Sequence, residues 1–399
     1  METFSLVLVN DYLDKINRAK KIKKLEYKQS GEIPIVDQGI DFIAGYTDED
    51  KHLFGNVPIT VFGDHTRRLK YLKFPFACGA DGTQLLKAKE GFIQRFFYYA
   101  LINLNLKNYG YERHFKYLKE EEIPKPGLKV QQKIATILSN YDDLIETNEK
   151  RIKILENITK SIYEEWFVRF KFPGHEKVKM IDSETEFGII PEGWKVKPFS
   201  DFCSKITDGT HEVIKPVKDG FYMVSATNLK DGFIDFSRTH FISEKDHKKI
   251  MLRSKPEKGD ILFSKIGTIG NIAVVKQDFE FSIKNIALFK PLSNELSSFI
   301  YSYFNNDSNL ANFSTKASGT SQKFFSLAFL RNMNMVYPEE KIILNFDRVV
   351  CPILEQRHIL NKKNQNLRKT RDLLLPKLIS GEIDVTKLDI QLNQEIVNT

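Results

Sequence analysis

Two stretches, Gln131 to Phe170 and Ile343 to Ser380, carry the same apolar column at seven-residue spacing. In the first it runs Ile134, Tyr141, Asn148, Leu155, Ile162, and in the second Phe346, Ile353, Leu360, Leu367, Leu374. The columns stand at a constant offset of 212 residues (Ile134 against Phe346) with no gap. A strict seven-residue period keeps one seam buried along two paired helices, although ordinary amphipathic core helices can share it. The same helix closing two successive blocks reads as an internal duplication. The first helix would extend about 60 Å at 1.5 Å per residue and stop before Pro173-Gly174. Its flanking apolar residues Ile137, Leu138, Leu144, Ile145, Ile152, Ile158 and Trp166 widen the face beyond a minimal two-helix seam. Asn148, polar at a seam position, would fix register at some cost in stability.

Each helix follows a block of short β-like runs. In the first block Ile33–Val36, Pro58–Phe62 and Tyr71–Phe76 read as strands, and Gly91–Leu106 reads as a core helix. In the second, Val213-Ile214, Gly220–Ser225, Gly232–Phe236, Asp260–Lys265, Asn271–Val275 and Ile286–Lys290 read as strands, with Ser297–Phe304 helical. His175 to Pro191 reads as a polar linker. The expected class is α+β, with domains at 1–128, 192–340, long helices at 129–171 and 341–381, a linker at 172–191 and a polar tail at 382–399.

At 399 residues, 41% hydrophobic and 28% charged, the chain has the composition of a soluble globular protein. No apolar run is long enough to span a bilayer and no signal peptide is apparent. Cys78, Cys203 and Cys351 suit neither a disulfide framework nor a zinc site, so a reducing cytoplasm is the expected setting. A formal net charge of +8 is compatible with a polyanionic partner without requiring one.

Catalytic signatures are missing. There is no phosphate-binding Walker loop, no Asn/Asp-Pro-Pro-aromatic tetrapeptide, no His-Glu-x-x-His helix and no Gly-x-Ser-x-Gly elbow. Glu120-Glu121-Glu122 reads as a solvated acidic loop more readily than a metal site. The basic run Asn17 to Lys28 reads as a solvated segment. Several loops have the chemistry of a nucleic-acid contact, each beside a blander reading. Gly267-Thr268-Ile269-Gly270 is a tight turn between strands, yet Lys265 and Thr268 would stand beside exposed amides that suit a phosphate oxygen. His65, Arg67, Arg68 and Lys70 are either an exposed charged loop or groups that hold phosphates and guanine edges. Thr210 and His211 lie at the Asp208-Gly209-Thr210-His211 turn, and Thr320, Gln322 and Lys323 in the Gly319–Lys323 loop.

Taken in order, these motifs resemble the DNA-specificity subunit of type I restriction–modification systems. In the second half the resemblance rests on Asp208–His211, Gly259–Leu262 leading to Gly267–Gly270, Gly319–Gln322, and the LLPKLISGEI ending from Leu374 to Ile383. In the first half it rests on Val61–Thr66, Asp81-Gly82 and the helix beginning Gln131-Gln132-Lys133-Ile134. It implies two target-recognition domains separated by two long antiparallel helices forming a coiled coil. It implies a non-catalytic subunit reading a bipartite, asymmetric site in double-stranded DNA. It further implies two methyltransferase subunits that bind S-adenosylmethionine and restriction/motor subunits that use ATP and Mg2+, with no cofactor in this chain. A helical spacer of roughly 50–60 Å would set the half-sites between one and two DNA turns apart. The first block is shorter and has no visible counterpart of Asp208–His211. The rival reading is a coiled-coil scaffold that binds protein only.

Overall fold

The computed structural model describes residues 4–16, 20–108, 110, 112–230, 232–267, 269–316 and 324–392. The chain divides into two compact units, Met1–Thr147 with Asn364–Thr399, and Asn148–Lys363. Each therefore holds one globular block and about half of each long helix.

The first block contains β1 (Leu6–Leu8), β2 (Ile33–Val36), β3 (Gly45–Thr47), β4 (Leu53–Phe54), β5 (Ile59–Gly63), β6 (Leu69–Leu72), β7 (Phe76–Cys78), β8 (Thr83–Leu86), α1 (Gln94–Ile102), α2 (Phe115–Glu120) and β9 (Glu122–Pro124), and leads into α3 (Leu128–Tyr163). Central β5 pairs antiparallel with β6 and β8, while β2 runs parallel to β7 and antiparallel to β3. The apolar face of α1 (Phe96, Phe97, Ala100, Leu101) is buried with Ile134, Leu138, Leu375, Leu378 and Ile379 of the long helices. Burial of that size is what stabilises so short a helix, since nine residues are marginal alone.

The second block contains β10 (Met180–Asp182), β11 (Ile189–Pro191), β12 (Lys195–Pro198), β13 (Cys203–Asp208), β14 (Phe221–Val224), β15 (Leu229–Lys230), β16 (Phe233–Ile234), β17 (His240–Ile242), α4 (Glu244–Met251), β18 (Ile261–Ser264), β19 (Ile272–Val274), β20 (Ser282–Ile283), β21 (Ile286–Pro291), α5 (Asn294–Asn305), α6 (Asp307–Lys316), α7 (Leu327–Asn332) and β22 (Asn334–Tyr337), followed by α8 (Glu340–Ile379). The topology repeats. Central β18 is antiparallel to β19 and β21, and β14 is parallel to β20 and antiparallel to β17. Likewise β1 pairs with β9, and β12 with β22.

The repeat is in strict frame from α2 and α7 onward: Phe115 matches Leu327, Glu122 matches Asn334 and Leu128 matches Glu340, all at offset 212. Upstream the offset drops to 202 (β5 against β18) and 188 (β2 against β14). The extra residues of the second block include α4 and α6, which explains why the first block is shorter. Helix α4 was not expected from the sequence; Ser243 caps it by accepting from the Asp246 amide at 3.1 Å.

Several expectations need correction. Val213-Ile214 is no strand, and Val213 is 89% exposed, because Gly209–Thr210 already ends the pairing of β13. The linker is not wholly irregular, since β10 and β11 form a hairpin. The first long helix ends earlier than Phe170: a π turn covers Glu164–Val168, and Phe170 takes a left-handed φ of 56°.

Both long helices bury a column four residues beyond the expected one more deeply. It comprises Gln131, Leu138, Ile145, Ile152 and Thr159 in α3, and Ile343, Val350, Arg357, Asn364 and Leu378 in α8. Of the expected column, Ile134, Asn148, Phe346 and Leu360 are buried, whereas Tyr141, Leu155, Ile162, Ile353, Leu367 and Leu374 are half-buried. Within the first unit the helices run antiparallel. Arg371 bonds Asp142 at 2.7 Å and Asn364 donates to the Ile145 carbonyl at 3.4 Å. Asp142 also takes Arg95 at 2.9 Å and Tyr99, while the Arg95 guanidinium lies 4.3 Å over the Tyr71 ring. Within the second unit Phe346 packs edge-on against Tyr163, Trp166 and Phe167.

Candidate nucleic-acid interface

In the second unit, three chain segments meet at one carboxylate. Strand β13 ends at Asp208, which is buried, and the chain continues through Gly209 to Thr210. The Thr210 amide donates to the Ile283 carbonyl at 3.0 Å, and the Asn285 amide returns a bond to the Thr210 carbonyl at 3.1 Å. Gly209 is required here by contact, because a Cβ would stand 2.1 Å from the Ile283 oxygen. Asn285 adopts a φ of 56°, a conformation asparagine tolerates better than most residues.

Asp208 accepts from Lys265 at 2.8 Å, from His211 at 2.9 Å, and from Arg253. The His211 ring also meets the Asn285 side-chain oxygen at 2.6 Å. Burial alone would push the Asp208 carboxyl up, but hydrogen bonding and charge from Lys265, then Arg253 and His211, hold it below its ordinary value. The carboxylate therefore sorts its partners: Lys265 is enclosed, whereas the side chains of Arg253 and His211 remain 53% and 47% exposed. Arg253 and His211 thus stay open to solvent, while the Lys265 ammonium is spent on the enclosed Asp208 carboxylate.

The first unit builds its counterpart on backbone contacts. The β5–β6 turn, which carries His65–Arg68, holds the topological place of the β18–β19 turn, which carries Lys265–Gly270. Asp64 is buried. Its amide donates to the Gly82 carbonyl at 2.7 Å, and its carboxylate accepts from the Phe115 amide at 2.8 Å. The carbonyl of Asp64 takes the His114 amide at 2.9 Å, and that of Lys265 takes the Phe325 amide at 2.9 Å. Gln38 knits the turn to its neighbours: it accepts from the His65 amide at 3.0 Å and from the Thr66 hydroxyl at 2.7 Å, and donates to the Asp81 carbonyl at 2.9 Å.

His65, Arg67 and Arg68 lie on the β5–β6 turn and Lys265 at the start of the equivalent β18–β19 turn, whereas Lys70 is on β6, and not all of them face solvent. His65 and Arg68 are exposed. Arg67 has a φ of 58° and donates to the Leu106 carbonyl at 2.8 Å. Lys70 is buried, with its ammonium on the carbonyls of Asp37 (2.8 Å) and Asp41 (2.5 Å), and burial pushes its pKa down. It and Lys265 support the loops rather than present charge, a distinction set by tertiary packing and invisible in the sequence. Thr210 is half-buried and His211 exposed. Thr268, Thr320, Gln322 and Lys323 lie outside the described residues. Sequence reasoning missed Arg253, Asn285 and Gln38; the first stands 45 residues from its carboxylate. Among the described residues no cluster of metal-ligating side chains occurs, and no helix is long and apolar enough to cross a membrane.

Two α+β units of one topology, each with a differently built polar turn, define an internally duplicated protein. The family model for the type I restriction modification DNA specificity domain matches residues 1–157 and 191–365, and the chain belongs to that family. It is 30% identical over 332 residues to the type I restriction enzyme MjaIX specificity subunit of Methanocaldococcus jannaschii, covering 77% of this chain and 73% of that one. The MjaVIII specificity subunit of the same organism is 24% identical over 287 residues, 69% of this chain and 65% of that one. The crystal structure of the type I restriction–modification S subunit from M. genitalium shares the fold, with a TM-score of 0.60 at 17% identity over 94% of this chain and 96% of that one.

Proposed function

We propose that this chain is the sequence-specific DNA-binding subunit of a type I restriction–modification complex and that it reads a bipartite, asymmetric site. The observation that carries the reading is the duplication itself. One topology appears twice, yet the equivalent turns carry different side chains on different supports, as two dissimilar half-sites require. In this reading 1–128 and 192–340 are the target-recognition domains. Helices α3 and α8 are an antiparallel coiled coil whose length fixes the unread gap. Phosphate contacts position each domain, and a few side chains read base edges in the groove. Candidates for those contacts are His65, Arg67, Arg68, Thr210, His211, Thr268, Thr320, Gln322 and Lys323, with Lys70 and Lys265 holding their loops in place. Two methyltransferase subunits with S-adenosylmethionine and restriction/motor subunits with ATP and Mg2+ supply the chemistry, in the cytoplasm. The chain itself contributes recognition and no cofactor.

The alternative, a scaffold that binds protein only, draws on exposed apolar side chains of the long helices, such as Leu144 (52%), Ile154 (58%) and Leu373 (60%). In our reading those side chains are docking contacts for the methyltransferase subunits. Genome-wide adenine methylation in cells carrying the methyltransferase partner, with and without this chain, separates the two. A methylated bipartite motif that vanishes without the chain is the expected result. Unchanged modification with an intact complex would leave the scaffold.

A further inference from the structure

The segment before β2 holds, in the first unit, the place that Asp208–His211 holds in the second. Leu13 faces Ala88 in an antiparallel bridge as Cys203 faces Pro291. Ile22 then lies parallel to Gly79 as Thr210 lies parallel to Lys284. The backbone bonds match as well. The Ile22 amide donates to the Cys78 carbonyl at 3.0 Å, and the Thr210 amide to the Ile283 carbonyl at 3.0 Å. Counting outward from these bridges, Lys20, Lys21, Lys23 and Lys24 replace Asp208, Gly209, His211 and Glu212. The counterpart that the sequence lacked is present in the fold with its chemistry inverted.

A run of lysines is ordinarily a solvated face, and three observations set this one apart. It is anchored: Ile22 is buried with Ile33, Ile35 and Ala77, and the His52 ring meets the Lys20 carbonyl at 2.6 Å. It is uncompensated: Lys20, Lys23 and Lys24 are exposed and Lys21 half-buried, and among the described residues no carboxylate pairs with any of the four, whereas Lys28 nearby is paired with Asp48 at 2.8 Å. Four like charges within five residues repel one another in the free chain, and a polyanion relieves that repulsion. It is also continuous with the candidate site. Gly79, which Ile22 bridges, leads to Asp81, whose carbonyl Gln38 binds, and Gln38 in turn holds His65 and Thr66.

We propose that Lys20–Lys24 is a phosphate clamp for the backbone of duplex DNA, and that the first unit grips its half-site through this clamp rather than through an Asp208-type cluster. Lysine ammoniums are point charges suited to phosphates and carry little base information, so the clamp sets register and affinity while the His65–Arg68 turn is left to discriminate. The proposal rests on the DNA-reading function above. Its test compares the full chain with the K20A/K21A/K23A/K24A variant, using fluorescence anisotropy on a labelled random duplex of about 40 base pairs across a KCl series. Each lost phosphate contact should lower the slope of log K against log salt by about 0.9, so loss of two to four contacts gives a drop of roughly 2 to 3.5. The all-arginine variant should retain the slope, because charge is kept. The K362A/K363A variant, altered on exposed positions of α8, should match the unaltered chain. Steep binding by the unaltered chain with an equal slope in the lysine-to-alanine variant would overturn the clamp and leave the function standing. An equal fall in K362A/K363A would overturn it too, by reducing the effect to net charge. Absence of salt-dependent binding by the unaltered chain would overturn the function and the clamp together.

Discussion

Replacing Asp208 with asparagine removes one charge and leaves Lys265 buried beside a neutral amide. The side chains of Asp208 and Lys265 are only 3% and 7% exposed, so the pair is an internal one. Removing one partner of a buried pair costs about 3–5 kcal/mol, because the remaining charge has neither water nor counter-charge. Arg253 and His211 add little to this figure: each is about half exposed, and exposed pairs contribute about 0–1 kcal/mol. For a unit of this size, 1 kcal/mol moves the melting temperature by about 2–4 °C, so D208N should lower it by on the order of 10 °C at neutral pH. The pH dependence has a definite sign. The folded-state pKa of Asp208 lies below its ordinary value, so its stabilisation is present above the usual aspartate pKa of about 3.9 and fades as pH falls through the depressed value. The gap between D208N and the unaltered chain should therefore be full at pH 7 and shrink in acid. Differential scanning calorimetry of both, with D208N/K265M as a third sample, checks the reasoning. The double variant should recover most of the loss, since both partners are then neutral. A D208N melt within about 1 °C of the unaltered chain at pH 7, or a double variant no better than the single, would refute the buried-pair account.

Three further outcomes follow from the packing. D142A should cost about 3 kcal/mol in urea unfolding, because Arg95 and Arg371 both lose their carboxylate and Arg95 is enclosed. G209A forces the β13 turn away from the Ile283 carbonyl; a cost of about 1–3 kcal/mol and a weaker DNA complex are expected, measured by denaturation and anisotropy on the same sample. L138A opens a cavity where α3 meets α1, and should lower stability by about 2–5 kcal/mol by chemical denaturation, whereas L144A at an exposed position should change it by less than about 0.5 kcal/mol.

The duplication was legible because a seven-residue apolar period survives in one dimension, and its offset needs no knowledge of contacts. Strands β5, β18 and β21 were legible for a similar reason, being short β-branched and aromatic runs between turn residues. The deeper seam column was not, because Gln131, Thr159, Arg357 and Asn364 are polar side chains that tertiary bonds make buriable. Gln131, for example, spends its amide on Ile93, Gly91 and Pro126. The site was half legible. Basic residues in a turn can be counted, but whether an ammonium faces solvent, as in Arg68, or carbonyls, as in Lys70, depends on a loop 29 to 33 residues away. The match between Lys20–Lys24 and Asp208–His211 was hidden altogether, since only strand pairing reveals it.

Chain length is unevenly free in this molecule. From Phe115 to the end of α3, and from Leu327 through α8, the two copies have kept step without a single inserted or deleted residue. Upstream of those points their spacing varies by up to 24 residues, from offset 188 at Ile33 and Phe221 to 212. The reason is angular. One residue gained in a helix turns everything beyond it by about 100°, which would carry Ile152 or Asn364 from the core to water, whereas a residue gained between strands lengthens a loop at small entropic cost. Variation in length is thereby steered toward the polar turns and away from the helices. A lineage of such chains can renew what its faces bind while the dimensions of its framework stay constant.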